Sequence, residues 1–465
     1  MSSLFASLAV AREALQAQQM GLQITQNNIS NVNTPGYTRQ RPSFVPGDPV
    51  AEYGYDAGMG VRLDSIDSYR DRMLDYRLNQ EAQRQGEYSY ASSALQQVES
   101  VLNEQAGAGL QSALAAFFNS FASLANAPED ASLRTQVLAQ GEQLAAQFKS
   151  TYERIQSVAT MQEHTITGTV EEINAIASSI SRLNGEIAAV PDSIGNQSTL
   201  RDQRQQLLEK LAGLVDVAYF ETESGAVTVM SKQGALLVAG TQSYAWSAST
   251  GSDGFMRITS QGADVTSKIE SGKLGGLLEV RDRYVAGYLK DLDDLAAAVM
   301  QRVNEEHAQG ADLDGNGGGD FFVPFVSGLP GSNAGAARSM TLAIEDPSLI
   351  AAAEAGAGPG SNANAARLAA ILDGPMEAGG SITVNQFYAN LVFKVGLDVS
   401  SMADKQQTQE YLLTQLRNQR DAVSGVSLDE EAVDLMRYQK AYEANARFIS
   451  LVDQLTEDLM QLLGG

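Results

Sequence analysis

The residues able to do chemistry are few. The chain has no cysteine and only two histidines, His164 and His307, in 465 residues. Without thiols there can be no disulfide, thiolate nucleophile or zinc–thiolate site. His164 lies inside a long helical pattern and reads as a surface residue. His307 closes another helix, where a positive charge is favourable. No serine sits in a nucleophile elbow, and no Gly-rich phosphate loop follows a strand. Asp and Glu are abundant but spread over helical faces, so no general acid–base pair is expected. One spacing comes closer. Asp312-Leu-Asp-Gly-Asn-Gly317 copies the opening of a calcium loop, but position nine is Asp320 and position twelve, which should be a bidentate acid, is Val323. A Gly/Asn-rich turn is the expectation there. The reading is of a protein without a catalytic, cofactor or metal site, and not an enzyme.

Charge narrows the partners. With 32 basic and 56 acidic residues the formal net charge is −24. No basic excess is available to neutralise phosphates, which argues against nucleic acid and against an anionic membrane surface. No run of about 18 apolar residues exists to span a bilayer. Met1-Ser-Ser-Leu-Phe lacks a basic region and a continuous apolar region, so no cleaved secretory signal is expected.

What remains is helix. Residues 1–33 keep a near-heptad apolar spacing through Leu4, Leu8, Ala11, Leu15, Leu22, Ile29 and Val32, the pattern of a helix lying along another helix. From Ala14 to Thr38 no residue is charged. Gln, Asn, Ser and Thr make up the polar face, which suits a surface pressed against other copies or lining a narrow channel. Thr34-Pro35-Gly36 should end the helix, because the residue before proline leaves the α region and Gly36 permits a turn with positive φ. Residues 40–65 read as extended loop or short strands. Helices follow at about 66–104, at Leu110–Asn126, and at Ser132–Val190, where roughly 55–60 residues would span about 85 Å. Another lies at Thr199–Val215.

At Asp216 the apolar period changes from 3.6 to 2. Strands are expected at Val227–Met230, Ala235–Val238, Tyr244–Ser247 and Phe255–Thr259. Helix resumes at Leu277–His307. Residues 310–380, rich in Gly, Ala and Asn, should hold a strand at Met340–Ile344 and a short helix at Asn362–Leu372. A helical section from Val384 to Ser424, broken near Asp398, precedes a last helix. Its seam runs through Leu435, Tyr438, Tyr442, Ile449, Val452, Leu459 and Leu463, with Asn445 alongside it. The fold class is therefore mainly α with an inserted β-rich domain. Residues 1–33 and 428–465 would form a terminal helical domain. Residues 34–216, 268–310 and 381–427 would form a long helical bundle, and 217–267 with 311–380 an outer β-rich domain.

Two signatures carry a resemblance. Asn27-Asn-Ile-Ser-Asn-Val-Asn-Thr-Pro-Gly-Tyr37 resembles the N-terminal signature of bacterial flagellar axial proteins, the rod, hook and hook-associated subunits. Leu428-Asp-Glu-Glu-Ala-Val and Tyr438-Gln-Lys-Ala-Tyr-Glu-Ala-Asn-Ala resemble their C-terminal one. In the middle, Leu200-Arg-Asp-Gln-Arg204, His307-Ala-Gln-Gly with Asp320-Phe-Phe, and Gln409-Glu-Tyr-Leu-Leu with Asn418-Gln-Arg420 are similar to the hook-associated protein 1 branch, which forms the first junction between hook and filament.

The resemblance implies a structural protein of the flagellum, without cofactor or catalysis. It implies export through the type III apparatus on an uncleaved N-terminal region, to an extracellular site at the hook tip. It implies a homo-oligomeric ring between the hook protein and the second junction protein (hook-associated protein 3), and a cytoplasmic chaperone that shields the C-terminal helix. Assembly would rest on Leu4, Leu8, Leu15, Leu22, Asn28, Ile29, Asn31, Asn33, Pro35, Gly36 and Tyr37, together with the C-terminal seam. Two other readings compete. One is a hook or distal rod subunit, which the long helical block opposes. The other is a surface adhesin using the outer domain.

Overall fold

The computed structural model describes residues 2–47, 50–52, 55–57, 60–103, 109–190, 196–252, 254–326, 328, 331–376 and 381–463. Helix α1 (Ser2–Ser30) leads into a ribbon of β1 (Gln40–Pro46) and β4 (Val61–Ser68), with the short hairpin β2 (Val50–Glu52) and β3 (Tyr55–Ala57) between them. Then come α2 (Arg72–Leu102), α3 (Leu110–Leu124), α4 (Ala131–Ala189) and α5 (Asn196–Leu214). The ends of these helices have local causes. The Asp71 carboxylate accepts the Met73 and Leu74 N–H groups and starts α2, so residues 66–68, read as helix, instead finish β4. Asp130 caps α4 in the same way. At 59 residues α4 is about 88 Å long.

The period-2 stretch forms two antiparallel sheets. One has four strands in the order β5 (Val217–Glu221), β6 (Val227–Ser231), β7 (Leu236–Ala239), β8 (Gln242–Ser243). The other has three: β11 (Ala263–Asp264), β10 (Met256–Ser260) and β9 (Trp246–Thr250). Helices α6 (Gly272–Glu279) and α7 (Ala286–His307) are joined by a π-helical stretch, Val280–Val285. The pair β12 (Gly310–Ala311) and β13 (Ala353–Glu354), with α8 (Ala336–Ser339) and α9 (Ala363–Ala370), leads to α10 (Val384–Ser424) and α11 (Leu428–Leu463). A capping box, Thr383 with Gln386, opens α10.

Two large cores hold the molecule. The first joins α3, the halves of α2 and α4 nearest it, α7, α10 and residues 321–371, around Phe117, Phe121, Phe148, Phe321 and Phe322. The Phe117, Phe121, Phe321 and Phe322 rings meet at 5.0–5.7 Å, in tilted or edge-on contact. The second joins the far half of α4, the end of α5, α6 and both sheets, around Trp246. Residues 217–267 and 311–380, expected together in one outer domain, thus line different cores.

Two further expectations change. Met340–Ile344 is not a strand; a single bridge joins Leu342 to Phe322. The Asn304 amide takes the place of a longer ladder, its Oδ1 accepting the Phe321 and Phe322 N–H groups and its Nδ2 donating to Phe322 O. Helix α10 is unbroken at Asp398, whose carboxylate accepts the Tyr288 hydroxyl at 2.7 Å. Packing against α2 and α7 outweighs the weak helix preference of that stretch.

Of the residues weighed for chemistry, Asp312 and His307 serve the fold. Asp312 Oδ1 accepts the Asp314 and Asn316 N–H groups, and Oδ2 accepts Asn316 Nδ2, so its carboxylate closes its own turn. His164 is exposed. His307 is not the helix-end cation expected. It is fully buried, donates from Nδ1 to Gly319 O at 2.7 Å and accepts the Ala351 N–H at Nε2 at 2.9 Å. That pairing needs the neutral ring, and burial holds its pKa below the usual histidine range. His307→Ala should orphan both backbone groups and lower stability by about 2–4 kcal/mol in urea unfolding. For this group stability is fully present above the ordinary histidine pKa and is lost as pH falls toward its depressed value.

The paired termini as a candidate assembly site

Helices α1 and α11 pack side by side, with the β1–β4 ribbon against them. The contact face of α1 is built mainly of small and uncharged polar residues, with one isoleucine. Ala11, Ala17, Gly21, Ile24, Thr25 and Asn28 are buried, whereas Leu8, Leu15, Leu22 and Ile29 are half-buried at the rim. The reason is the Tyr438 ring of α11, which lies where a β-carbon on Gly21 would be 2.9 Å away. Phe44 of β1 meets the same ring edge-on at 6.2 Å. Of the expected C-terminal seam, Tyr438 and Val452 are buried, Leu435, Asn445 and Ile449 are half-buried, and Tyr442 is 40% exposed. The side chains of Leu4, Leu459 and Leu463 lie outside the described residues.

The N-terminal signature folds around Asn28. Its Nδ2 donates to Gln40 O at 2.8 Å and Glu431 Oε2 at 3.0 Å, and its Oδ1 accepts the Tyr37 hydroxyl at 2.9 Å and the Gln40 N–H at 3.1 Å. All four bonds available to one amide are made. Asn31 bonds back to Asn27, and Thr34 to Asn31. Asn33 and Pro35 are exposed, and the Pro35 carbonyl accepts Gln206 Nε2 from α5. Gly36 has φ +74°, and a β-carbon there would meet Gln206 at 2.7 Å. Burial, followed by the Asp202 and Glu431 charges, pushes the Tyr37 phenol up to about 12.

The electrostatic centre is Arg39, which the residue patterns did not single out. It is buried with Glu431. Its Nε donates to Glu431 Oε1 at 2.6 Å, its Nη1 donates to Glu430 Oε2, and Asp434 lies at 3.8 Å. Burial works against its charge, but the Glu430 and Glu431 contacts outweigh this and raise its pKa. Its backbone N–H donates to Ser424 O, tying the loop to the end of α10. Thr38 is held by Asp202 of α5, whose Oδ2 accepts the N–H at 2.9 Å and whose Oδ1 lies 2.7 Å from the hydroxyl. Arg204, in the same short motif, bonds Asn184, Gly225 O and Glu221. The available signals were Arg39, which ends the charge-free stretch, and the acidic first turn of α11. Neither specifies its partner.

The outer face of α11 is bare in the single chain. Val433, Met436, Phe448, Leu451 and Leu455 are 61, 57, 45, 54 and 47% exposed. With Lys440 and Ala444 they form a stripe spaced by three and four residues, on the side of the helix away from Tyr438, with Val452 at its edge. Among the described residues no cluster of acids and histidines could hold a metal, and no helix is long and apolar enough to cross a membrane.

Residues 95–322 match the family described as the flagellar hook-associated protein FlgK helical domain. Residues 418–462 match the flagellar basal body rod FlgEFG protein C-terminal family, and 8–38 the flagella basal body rod protein family. Flagellar hook-associated protein 1 of Bacillus subtilis (strain 168) is 31% identical, with 100% of this chain and 99% of that protein covered. The protein of the same name from Escherichia coli (strain K12) is 25% identical, over 97 and 98%. The structure of the flagellar hook junction protein FlgK from Burkholderia pseudomallei shares the fold, with a TM-score of 0.67 over 75% of this chain and all of that one, at 17% identity. The relatedness extends from one paired terminus to the other, through the helices that join them: the chain belongs to the flagellar hook-associated protein 1 family.

Proposed function

We propose that this protein is a structural subunit of the flagellum that forms the first ring between hook and filament. In this reading it is exported unfolded through the type III apparatus without cleavage, folds at the hook tip, and assembles with copies of itself. The hook protein lies below the ring. The second junction protein, hook-associated protein 3, docks above it before the filament grows. The observation that carries the reading is the two-sided α11, with one apolar face closed by α1 and the other bare. Burying each large side chain of that stripe between copies would contribute about 1.5–3 kcal/mol. Before export, the same stripe is what a cytoplasmic chaperone would cover. The half-buried leucines of α1 and the uncharged 14–38 stretch belong to the inner wall of the ring.

Deletion of the gene, followed by electron microscopy and assay of the medium, tests this directly. Cells should carry hooks without filaments and release flagellin monomers. Normal filaments on the deletion strain would rule the junction role out.

A further inference from the structure

Between the terminal module (α1, β1, β4 and α11) and the helical body lies a polar cavity of about 480 Å³, walled by the end of β4, the start of α2, and by α5 and β5. Asp202 lines it. The residue is 5% exposed, and among the described residues it forms no ion pair. Among the described residues its only hydrogen-bonding partner is Thr38, across the boundary between module and body.

The charges around it are already committed. Arg70 is bound to Asp75 at 2.5 Å. Arg204 is bound to Glu221 at 3.1 Å and to Asn184 and Gly225. Arg39 is bound to Glu430 and Glu431. Tyr37, facing Asp202 from the module, is a neutral phenol. Arg72 of α2, which pairs with Glu221 at 3.4 Å, Asp67 of β4 and Arg201 of α5 complete the cavity's charged lining. A carboxylate here is buried and compensated only in part, by the Thr38 bonds and the Arg70 charge, whereas a carboxylic acid keeps both Thr38 bonds without a buried charge. One oxygen accepts the Thr38 N–H, and the other, carrying the proton, donates to the Thr38 hydroxyl.

We propose that Asp202 is a proton-operated clasp between the terminal module and the helical body, one that tightens as the surroundings become acidic. Burial pushes the Asp202 carboxyl up to about 6, while the Thr38 bonds pull it partly back. Once the module lifts away, the carboxyl is hydrated and returns to its ordinary value near 3.8. The proton therefore binds the closed form more tightly. Closure is favoured at low pH, weakens as pH rises from about 4 to about 6, and is constant above that. Two neighbouring ties, Gln206 to Pro35 O and the Arg39 N–H to Ser424 O, hold at every pH and keep the module near the body.

The test is hydrogen exchange on the full chain at pH 4.5 and 6.5, corrected for intrinsic rates, with core residues 137–148 as the internal reference. In the natural chain, opening of the segment around Thr38 should be about tenfold less frequent at pH 4.5 than at 6.5. Asp202→Asn reproduces the acid form, with its amide oxygen accepting the N–H and its amide nitrogen donating to the hydroxyl. It should be protected equally at both values. Asp202→Ala should be open equally at both, with the core unchanged. Protection that is flat or falls on acidification in the natural chain overturns the proposal, as does an Asp202→Asn variant that keeps the natural pH dependence.

Discussion

Replacing Arg39 by alanine should detach the two ends of the chain from each other without unfolding the helical body. Among the described residues the guanidinium is the only partner the buried Glu431 carboxylate has apart from the Asn28 amide, and it also holds Glu430. Removing it strands a charge that is 1% exposed. Breaking a buried pair this way costs about 3–5 kcal/mol, mostly because the remaining charge stays buried. A terminal module of two helices and a ribbon has little margin to absorb that loss. Hydrogen exchange should show α1 and α11 losing protection while Phe117 and Phe148 keep theirs, and cells carrying the variant should not swim. The double variant Arg39→Ala/Glu431→Gln should recover part of the loss, because it removes the stranded charge as well. If the single variant leaves both helices as protected as before, the ion pair is not what joins the ends.

The second large effect concerns the opposite face of α11. Phe448→Glu combined with Leu451→Glu places two carboxylates on a stripe already solvent-exposed in the single chain, at 45 and 54%. Monomer stability should change by no more than about 0.5 kcal/mol, as is usual for surface substitutions. Assembly should be abolished, because each charge would have to be buried between copies without a partner. The contrast between an unaffected monomer and a lost ring, read by thermal unfolding and by electron microscopy of cells, separates this face from the Tyr438 face. Normal rings from the double variant would show that the bare stripe takes no part in assembly.

Much of the architecture was legible in the residues. The long helices, the switch to period 2 at Asp216 and the turn at Pro35-Gly36 all express local rules of spacing, capping and backbone sterics. The failures are equally local in origin. Met340–Ile344 alternates like a strand, but a strand also needs an unoccupied partner edge, and the Asn304 amide already holds Phe321 and Phe322. Asp398 looks like a helix break, yet the cost of a poor helix former is recovered through Tyr288 and the packing of α10.

The amino-acid sequence by itself determined that this protein has two apolar helical seams at opposite ends and helices of great length between them. These are properties of period and composition, which short-range physics controls. Only the tertiary structure decided how the seams are used. Through Gly21 and Tyr438, small residues rather than leucines became the face of α1 that meets α11. Asn28, Arg39 and Glu431 came together across about four hundred positions of sequence separation. A carboxylate or guanidinium reads alike in sequence whether it faces water or a buried partner. What distinguishes them is desolvation, which exists only once distant segments have closed over the group.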